Sequence, residues 1–281
     1  MSGDGTVKSQ YARTKEDASR QADEILYYAA KTYGEGYLQA CATSPQGMLA
    51  ARFRALDPHL DIRYVQHDPD RPQAGFEDTT TMSGLYTPPE TDDDDVVIQV
   101  NASQTEERMN FTFLHELGHY LQHRDLDLLS NLFDIEDEEH AKNVEEMACD
   151  MFAAHSLAPT GLVHDTVPTA QALTRLYGRL RASLQVVCRR FAEVKYQTIL
   201  ITDGKHATRI SPNGYCDMDA TPTGEERRLL ERVGGGEQVV KPFPIDAEEW
   251  GVRVKKDTPV KASACAYGNR TVVMYGPNWL K

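Results

Sequence analysis

Residues 111–123 read Phe111-Thr112-Phe113-Leu114-His115-Glu116-Leu117-Gly118-His119-Tyr120-Leu121-Gln122-His123. Phe111, Leu114, Leu117 and Leu121 recur every three or four residues, the period of a helix with one buried face. His115 and His119 lie off that line, four residues apart, so both imidazoles stand on one side of the helix, roughly 6 Å apart along its axis. That spacing lets two nitrogens reach one tetrahedral ion at about 2.0–2.1 Å. Glu116 is turned about 100° from His115, so its carboxylate can lie beside the ion and take a proton from a water that the metal has made acidic. Two ligands and a base in this order are the pattern of a zinc peptidase helix.

A third ligand has to come from elsewhere. His123 is about 12 Å along the axis from His115, too far to share its ion on a straight helix. It is expected behind the ligands or in solvent. After a charged connection, Asp134 to Glu139, a second helix is predicted over 141–157, ended by Pro159 and Gly161. It offers Glu145, Glu146, Asp150 and His155. Glu146 and Asp150 share a face, so one could bind the metal while the other orients a ligand histidine. Spacing alone does not choose between Glu145 and Glu146.

Upstream, 13–33 reads as an amphipathic helix with Ala18, Ala22, Ile25, Leu26 and Ala29 at helical spacing and Gly34 as its stop. A further helix is predicted over 45–56, with Met48, Leu49 and Phe53 on one side. Ile62 to Val65 and Val96 to Val100 read as strands, and 66–82 as a loop. The acid run 92–95 lacks a calcium-loop pattern and is expected to be a solvated turn. Residues 168–195 read as two basic helices joined near Gly178, and beyond Tyr196 short strands alternate with turns around one helix near 224–233. Boundaries are expected near 162 and 200.

Composition narrows the setting. No stretch approaches the roughly 20 apolar residues of a membrane span, and the N-terminus lacks the pattern of a signal peptide. Five scattered cysteines without a Cys-x-x-Cys pair suggest free thiols in a reducing, cytoplasmic compartment. Residues 1–174 carry 31 acidic and 12 basic side chains, whereas 175–281 carry 12 and 18. The front would repel nucleic acid; the rear could tolerate it. Arg189, Arg190 and Gln185 could meet base edges, although two short basic helices more often serve as packing.

The blocks Phe111 to His123 and Glu146-Met147-Ala148-Cys149-Asp150-Met151-Phe152-Ala153-Ala154, the latter followed by Leu157-Ala158-Pro159, resemble the two site helices of the ImmA/IrrE family of metallo-endopeptidases. The likeness covers roughly residues 20–160. It implies an α+β chain with a zincin-like peptidase domain over 1–162, a helix-turn-helix-like segment over 163–200 and a small α+β C-terminal domain over 201–281. It implies one Zn2+ held by His115, His119 and Glu146, with Mn2+ as the alternative, and Glu116 as the catalytic base. Asp150, His123 and Tyr120 are expected close by; Tyr120 is a candidate oxyanion donor, although a residue so close on the same helix more often packs. The substrate class implied is a helix-turn-helix repressor of stress or mobile-element genes, cleaved to relieve repression. The competing expectation is a non-enzymatic regulator, organised by its metal, that binds DNA or a repressor through the basic rear half.

Overall fold

A computed structural model describes residues 3–34, 36–44, 46–66, 83–89, 95–253, 255 and 258–277. The predicted loop 66–82, beyond Gln66, and the acid run, apart from Asp95, lie outside the described residues. The chain divides into two units, Met1–Leu157 and Ala158–Lys281.

The first unit opens with helices α1 (Gly3–Tyr33), α2 (Tyr37–Thr43) and α3 (Gln46–Leu56). Ala18, Ala22, Ile25 and Ala29 bury their side chains at the expected helical spacing, and the chain turns out of α1 at Gly34 with φ 81°. Met48 does not join Leu49 and Phe53 in the core; it is 65% exposed, and Ala50 is buried instead.

Strands β1 (Leu60–Val65), β2 (Gly84–Thr87) and β3 (Val96–Asn101) form a sheet in the order β1-β3-β2, with β1 parallel and β2 antiparallel to β3. Val96, Ile98 and Val100 are buried in alternation, one face of the pleat. Helices α4 (Glu106–Arg124), α5 (Leu126–Phe133) and α6 (Glu138–Leu157) complete the unit. The buried side of α4 corrects the sequence reading: Phe111 is only half-buried, and Phe113 is the aromatic in the core, its ring 5.3 Å from that of Phe53. The core wraps further around α4 than one stripe because sheet and helices pack on different sides of it.

The second unit begins with α7 (Thr160–His164), α8 (Ala170–Tyr177) and α9 (Leu184–Lys195). Strands β4 (Thr198–Thr202), β5 (Ala207–Ile210), β6 (Cys216–Asp217), β7 (Val239–Ile245), β8 (Val260–Tyr267) and β9 (Arg270–Pro277) form an antiparallel sheet ordered β6-β5-β4-β9-β8-β7. Helix α10 (Gly224–Gly234) covers one face, where Ala262, Ala264, Val273 and Tyr275 meet Leu229 and Val233. The alternate residues of β8 face α8: Ala170 N–H donates to Ser263 Oγ at 3.0 Å, and Thr174 lies 3.6 Å from Cys265 Sγ. Both faces of the sheet are therefore covered, which explains why β8 and β9 are buried in runs rather than in alternation.

Candidate metal centre

Thr105 starts α4 by accepting the Arg108 N–H, and Glu106 and Glu107 sit at the positive end of the helix dipole. From that start the helix carries His115 and His119 past α6. Their Nε2 atoms lie 3.2 Å apart. Glu146 approaches from α6, with Oε2 3.5 Å from His115 Nε2 and Oε1 3.9 Å from His119 Nε2. One donor atom from each of the three residues lies within 4.8 Å of the other two. Two donors bound tetrahedrally at 2.0–2.1 Å sit about 3.3 Å apart, so this spacing fits a divalent metal, as does the donor set of two imidazoles and one carboxylate.

The far nitrogens are held as a metal site requires. His115 Nδ1 is 2.9 Å from Asp150 Oδ1, and His119 Nδ1 is 2.8 Å from Glu145 Oε1. A carboxylate at Nδ1 keeps the proton there and leaves the Nε2 lone pair free for an ion. Glu145 and Glu146 thus take different positions, one behind a histidine and the other facing both Nε2 atoms. His123 Nε2 stands 3.4 Å from the same Glu145 oxygen, outside the group of three.

Electrostatics favour positive charge at this spot. Burial pushes the His115 imidazolium down, but Asp150 and Glu146 outweigh it and lift it to about 10. Glu145 is held down to about 2, chiefly by its hydrogen bond with His119 and then by His123. Glu116 differs: burial pushes its carboxyl up, with His115, His119 and the Tyr86 N–H pulling less strongly the other way. A carboxylate raised by burial beside two histidines is suited to carrying a proton.

Two glycines allow the elements to come this close. A β-carbon on Gly118 would lie 3.1 Å from Cys149 Sγ and 3.3 Å from its Cα, so α4 and α6 touch almost backbone to side chain. A β-carbon on Gly84 would strike Thr112 Cγ2 and come within 2.9 Å of Glu116 Oε1. Strand β2 therefore lies directly against Glu116. Tyr86, from the same strand, stacks on His119 with centroids 6.5 Å apart and planes 6° apart, and meets His123 edge-on at 5.3 Å.

Sequence reasoning did not single out Gly84, Tyr86 or Asp57. An isolated glycine before alternating apolar residues was the only available signal of a close backbone approach. The Tyr120 hydroxyl is engaged by Asp57 and Arg124 in this arrangement. Its hydroxyl donates to Asp57 Oδ2 at 2.5 Å and accepts from Arg124 at 2.7 Å, while Arg124 also pairs with Asp57. Cys149 is buried and its thiol is pushed up by that burial, which makes it packing rather than a nucleophile.

The basic helices need a correction as well. Arg190 is 5% exposed and donates to Glu193, Thr160 Oγ1 and the Ala158 carbonyl, so it faces inward and cannot read a base. Gln185 donates toward the sulfur atoms of Cys216 and Met218. Of the three residues considered for base contact, only Arg189 is exposed.

Comparison with known proteins follows the same lines. Residues 76–192 match the peptidase family model described as the IrrE N-terminal-like domain. The chain is 32% identical over 148 residues to the radiation response metalloprotease IrrE of Deinococcus deserti, covering 51% of each protein, so the match spans about half of that relative. It is 27% identical over 261 residues to the radiation response metalloprotease IrrE of Deinococcus radiodurans, covering 82% of this chain and 79% of the relative. A solved structure of a Mycobacterium tuberculosis transcriptional regulator overlaps with a TM-score of 0.47 at 15% identity, over 93% of this chain and 94% of that one. So loose an overlap carries no functional argument. The motif helix, the family model over residues 76–192 and the two relatives agree in likening this chain to the IrrE-type metalloproteases.

Proposed function

We propose that this protein is a zinc-dependent endopeptidase that cleaves a helix-turn-helix transcriptional repressor and so relieves repression of stress genes. The observation that carries the catalytic reading is the convergence of His115 Nε2, His119 Nε2 and the Glu146 carboxylate, with the buried Glu116 one residue from the first ligand. These three side chains would hold the ion, and two imidazoles with one carboxylate favour zinc over manganese. When bound, zinc supplies Lewis acidity, making water acidic enough to deprotonate near neutral pH and drawing electrons from a carbonyl. Glu116 takes the proton from the attacking water on a carboxylate oxygen and delivers it to the leaving amine. The Tyr86 N–H keeps that carboxylate in place, and Asp150 and Glu145 hold the two imidazoles in one tautomer.

The repressor reading draws on the family resemblance and on the radiation response named for both relatives. A cytoplasmic site of action is supported by five free cysteines, four of them buried. Among the described residues no helix is long and apolar enough to cross a membrane. The regulator alternative loses one of its candidate base contacts, because Arg190 turns inward.

The test is Glu116→Gln against the parent protein, with zinc content and cleavage of candidate helix-turn-helix repressors measured side by side. The variant should keep about one zinc per chain and lose roughly 10²–10⁴-fold in cleavage rate. Undiminished cleavage in that variant would overturn the assignment.

A further inference from the structure

Leu126 and Phe133 are the two most exposed large hydrophobic side chains among the described residues, at 81% and 77%. Both lie on α5, with the half-buried Leu129 between them. Positions 126, 129 and 133 fall within one narrow arc of a helix, so the three make a stripe roughly 10 Å long. Leu128 and Leu132 anchor the opposite side of the same helix in the core. The apolar stripe is thus not misplaced core; α5 is apolar on two sides, and one of them faces solvent. Exposed apolar surface arranged in this way marks an interaction site.

Its surroundings identify the partner's charge. The stretch 125–139 contains seven carboxylates, Asp125, Asp127, Asp134, Glu136, Asp137, Glu138 and Glu139, and no Lys, Arg or His. From α1, Glu24 joins them through its 2.5 Å hydrogen bond from Asn131 Nδ2. Arg13 and Arg20 share a cleft with Asp134, Glu136 and Asp137, but the carboxylates outnumber them. An apolar stripe in net negative surroundings repels nucleic acid and anionic lipid and attracts a cationic surface carrying apolar side chains. The face begins at Leu126, three residues beyond His123, whose ring stands beside Glu145 at the metal centre.

We infer that the outer face of α5 is a docking surface for the protein substrate, engaging a basic amphipathic helix on it. This rests on the endopeptidase reading and deepens it: a DNA-binding substrate carries basic side chains to neutralise phosphates, and α5 would recognise that charge outside the cleaved bond. Leu126 and Phe133 supply the apolar anchor, and the carboxylates steer the approach.

The experiment uses the full chain carrying Glu116→Gln and a labelled 18-residue synthetic helix with leucines on one face and lysines and arginines elsewhere. Fluorescence anisotropy should show saturable binding that weakens at least tenfold with Leu126→Ser plus Phe133→Ser. Glu136→Gln plus Glu139→Gln should weaken binding and flatten its dependence on salt. A control peptide with glutamates in place of its cations should not bind. Both hydrophobic side chains are exposed, so the thermal transition should not move, which separates lost docking from lost folding. Binding that survives the double serine variant, or equal binding of the inverted peptide, overturns the inference. So does a dimer of the parent chain that becomes a monomer in that variant, because a second copy would then cover the face. If Glu116→Gln abolishes cleavage while the serine variant leaves substrate KM unchanged, docking fails and the peptidase reading stands. If peptide binding behaves as stated but no repressor is cut, the peptidase reading fails alone.

Discussion

Where α4 crosses α6, Gly118 stands against Cys149 so closely that an added β-carbon would come within 3.1 Å of the thiol sulfur. This contact sets the separation of the two helices, and hence the reach of Glu146 to His115 and His119. The Cys149 thiol is held in turn by Gln122, which donates to it at 3.1 Å. Gly118, between the buried Leu117 and His119, therefore has a packing role: without a side chain there, Glu146 can approach the two histidines.

Gly118→Val should force α4 and α6 apart. The expected cost is about 1–3 kcal/mol of stability, the usual range for overpacking a filled core, together with weaker zinc binding. Thermal unfolding with and without added zinc measures both. An unchanged transition and full zinc occupancy would show that the crossing can yield.

Asp150→Asn and Glu145→Gln should each weaken metal affinity by about 10–100-fold, because each removes the carboxylate that orients one histidine. Glu146→Ala should weaken it further, having lost a ligand. Competition titration against a zinc chelator ranks the three. Glu145→Gln binding zinc as poorly as Glu146→Ala would mean that the two neighbouring glutamates exchange roles when the ion is present.

Gly84→Ala should affect catalysis more than metal binding. The new methyl group meets Thr112 and the Glu116 carboxylate, neither of which belongs to the group of His115, His119 and Glu146. Zinc content should stay at the parent level while kcat falls. Metal loss in parallel with activity would place the effect on the whole site instead.

Arg190→Ala should lower stability by about 1–3 kcal/mol, since it removes a buried side chain and the donor to the carbonyl of the buried Ala158. The exposed Arg189→Ala should stay within about 0.5 kcal/mol. Urea denaturation distinguishes them. A nucleic-acid binding defect in Arg190→Ala with unchanged stability would restore the base-reading interpretation.

In the second unit, Glu226 is fully buried and pairs with Arg209 at 2.6 Å, while Tyr275 donates to it at 3.0 Å. Burial pushes its carboxyl up, but Arg209, the Thr223 N–H and Tyr275 together leave it below the ordinary value. A depressed folded value stabilises above the unfolded carboxylate range, near pH 4.3, and that contribution is lost as pH falls through the folded value. Arg209→Met should therefore be much less stable than the parent at pH 7, with the gap narrowing below about pH 4. Urea midpoints at pH 7 and pH 3.5 give the comparison; a constant gap would rule out the ion pair as its source.

The sequence alone determined the arrangement of side chains on α4. A four-residue interval puts His115 and His119 on one side of any helix, and Glu116 follows from the 100° turn per residue. Val96 to Val100, the stops at Gly34 and Pro159, and the split into an acidic front and a basic rear were legible for the same reason: each is a local pattern. What faced what was not local. Phe113 rather than Phe111 entered the core, and Met48 stayed outside, because the surfaces that cover α4 and α3 come from distant segments. Strand β2 is four residues long, too short to show a period, yet it brings Gly84 and Tyr86 against Glu116. Glu145 and Glu146 differ by one residue and so by about 100° around α6. Only the tertiary contact at Gly118 and Cys149 decides which carboxylate faces the two Nε2 atoms, since the rotation of one packed helix against another is set by side chains far apart in the chain.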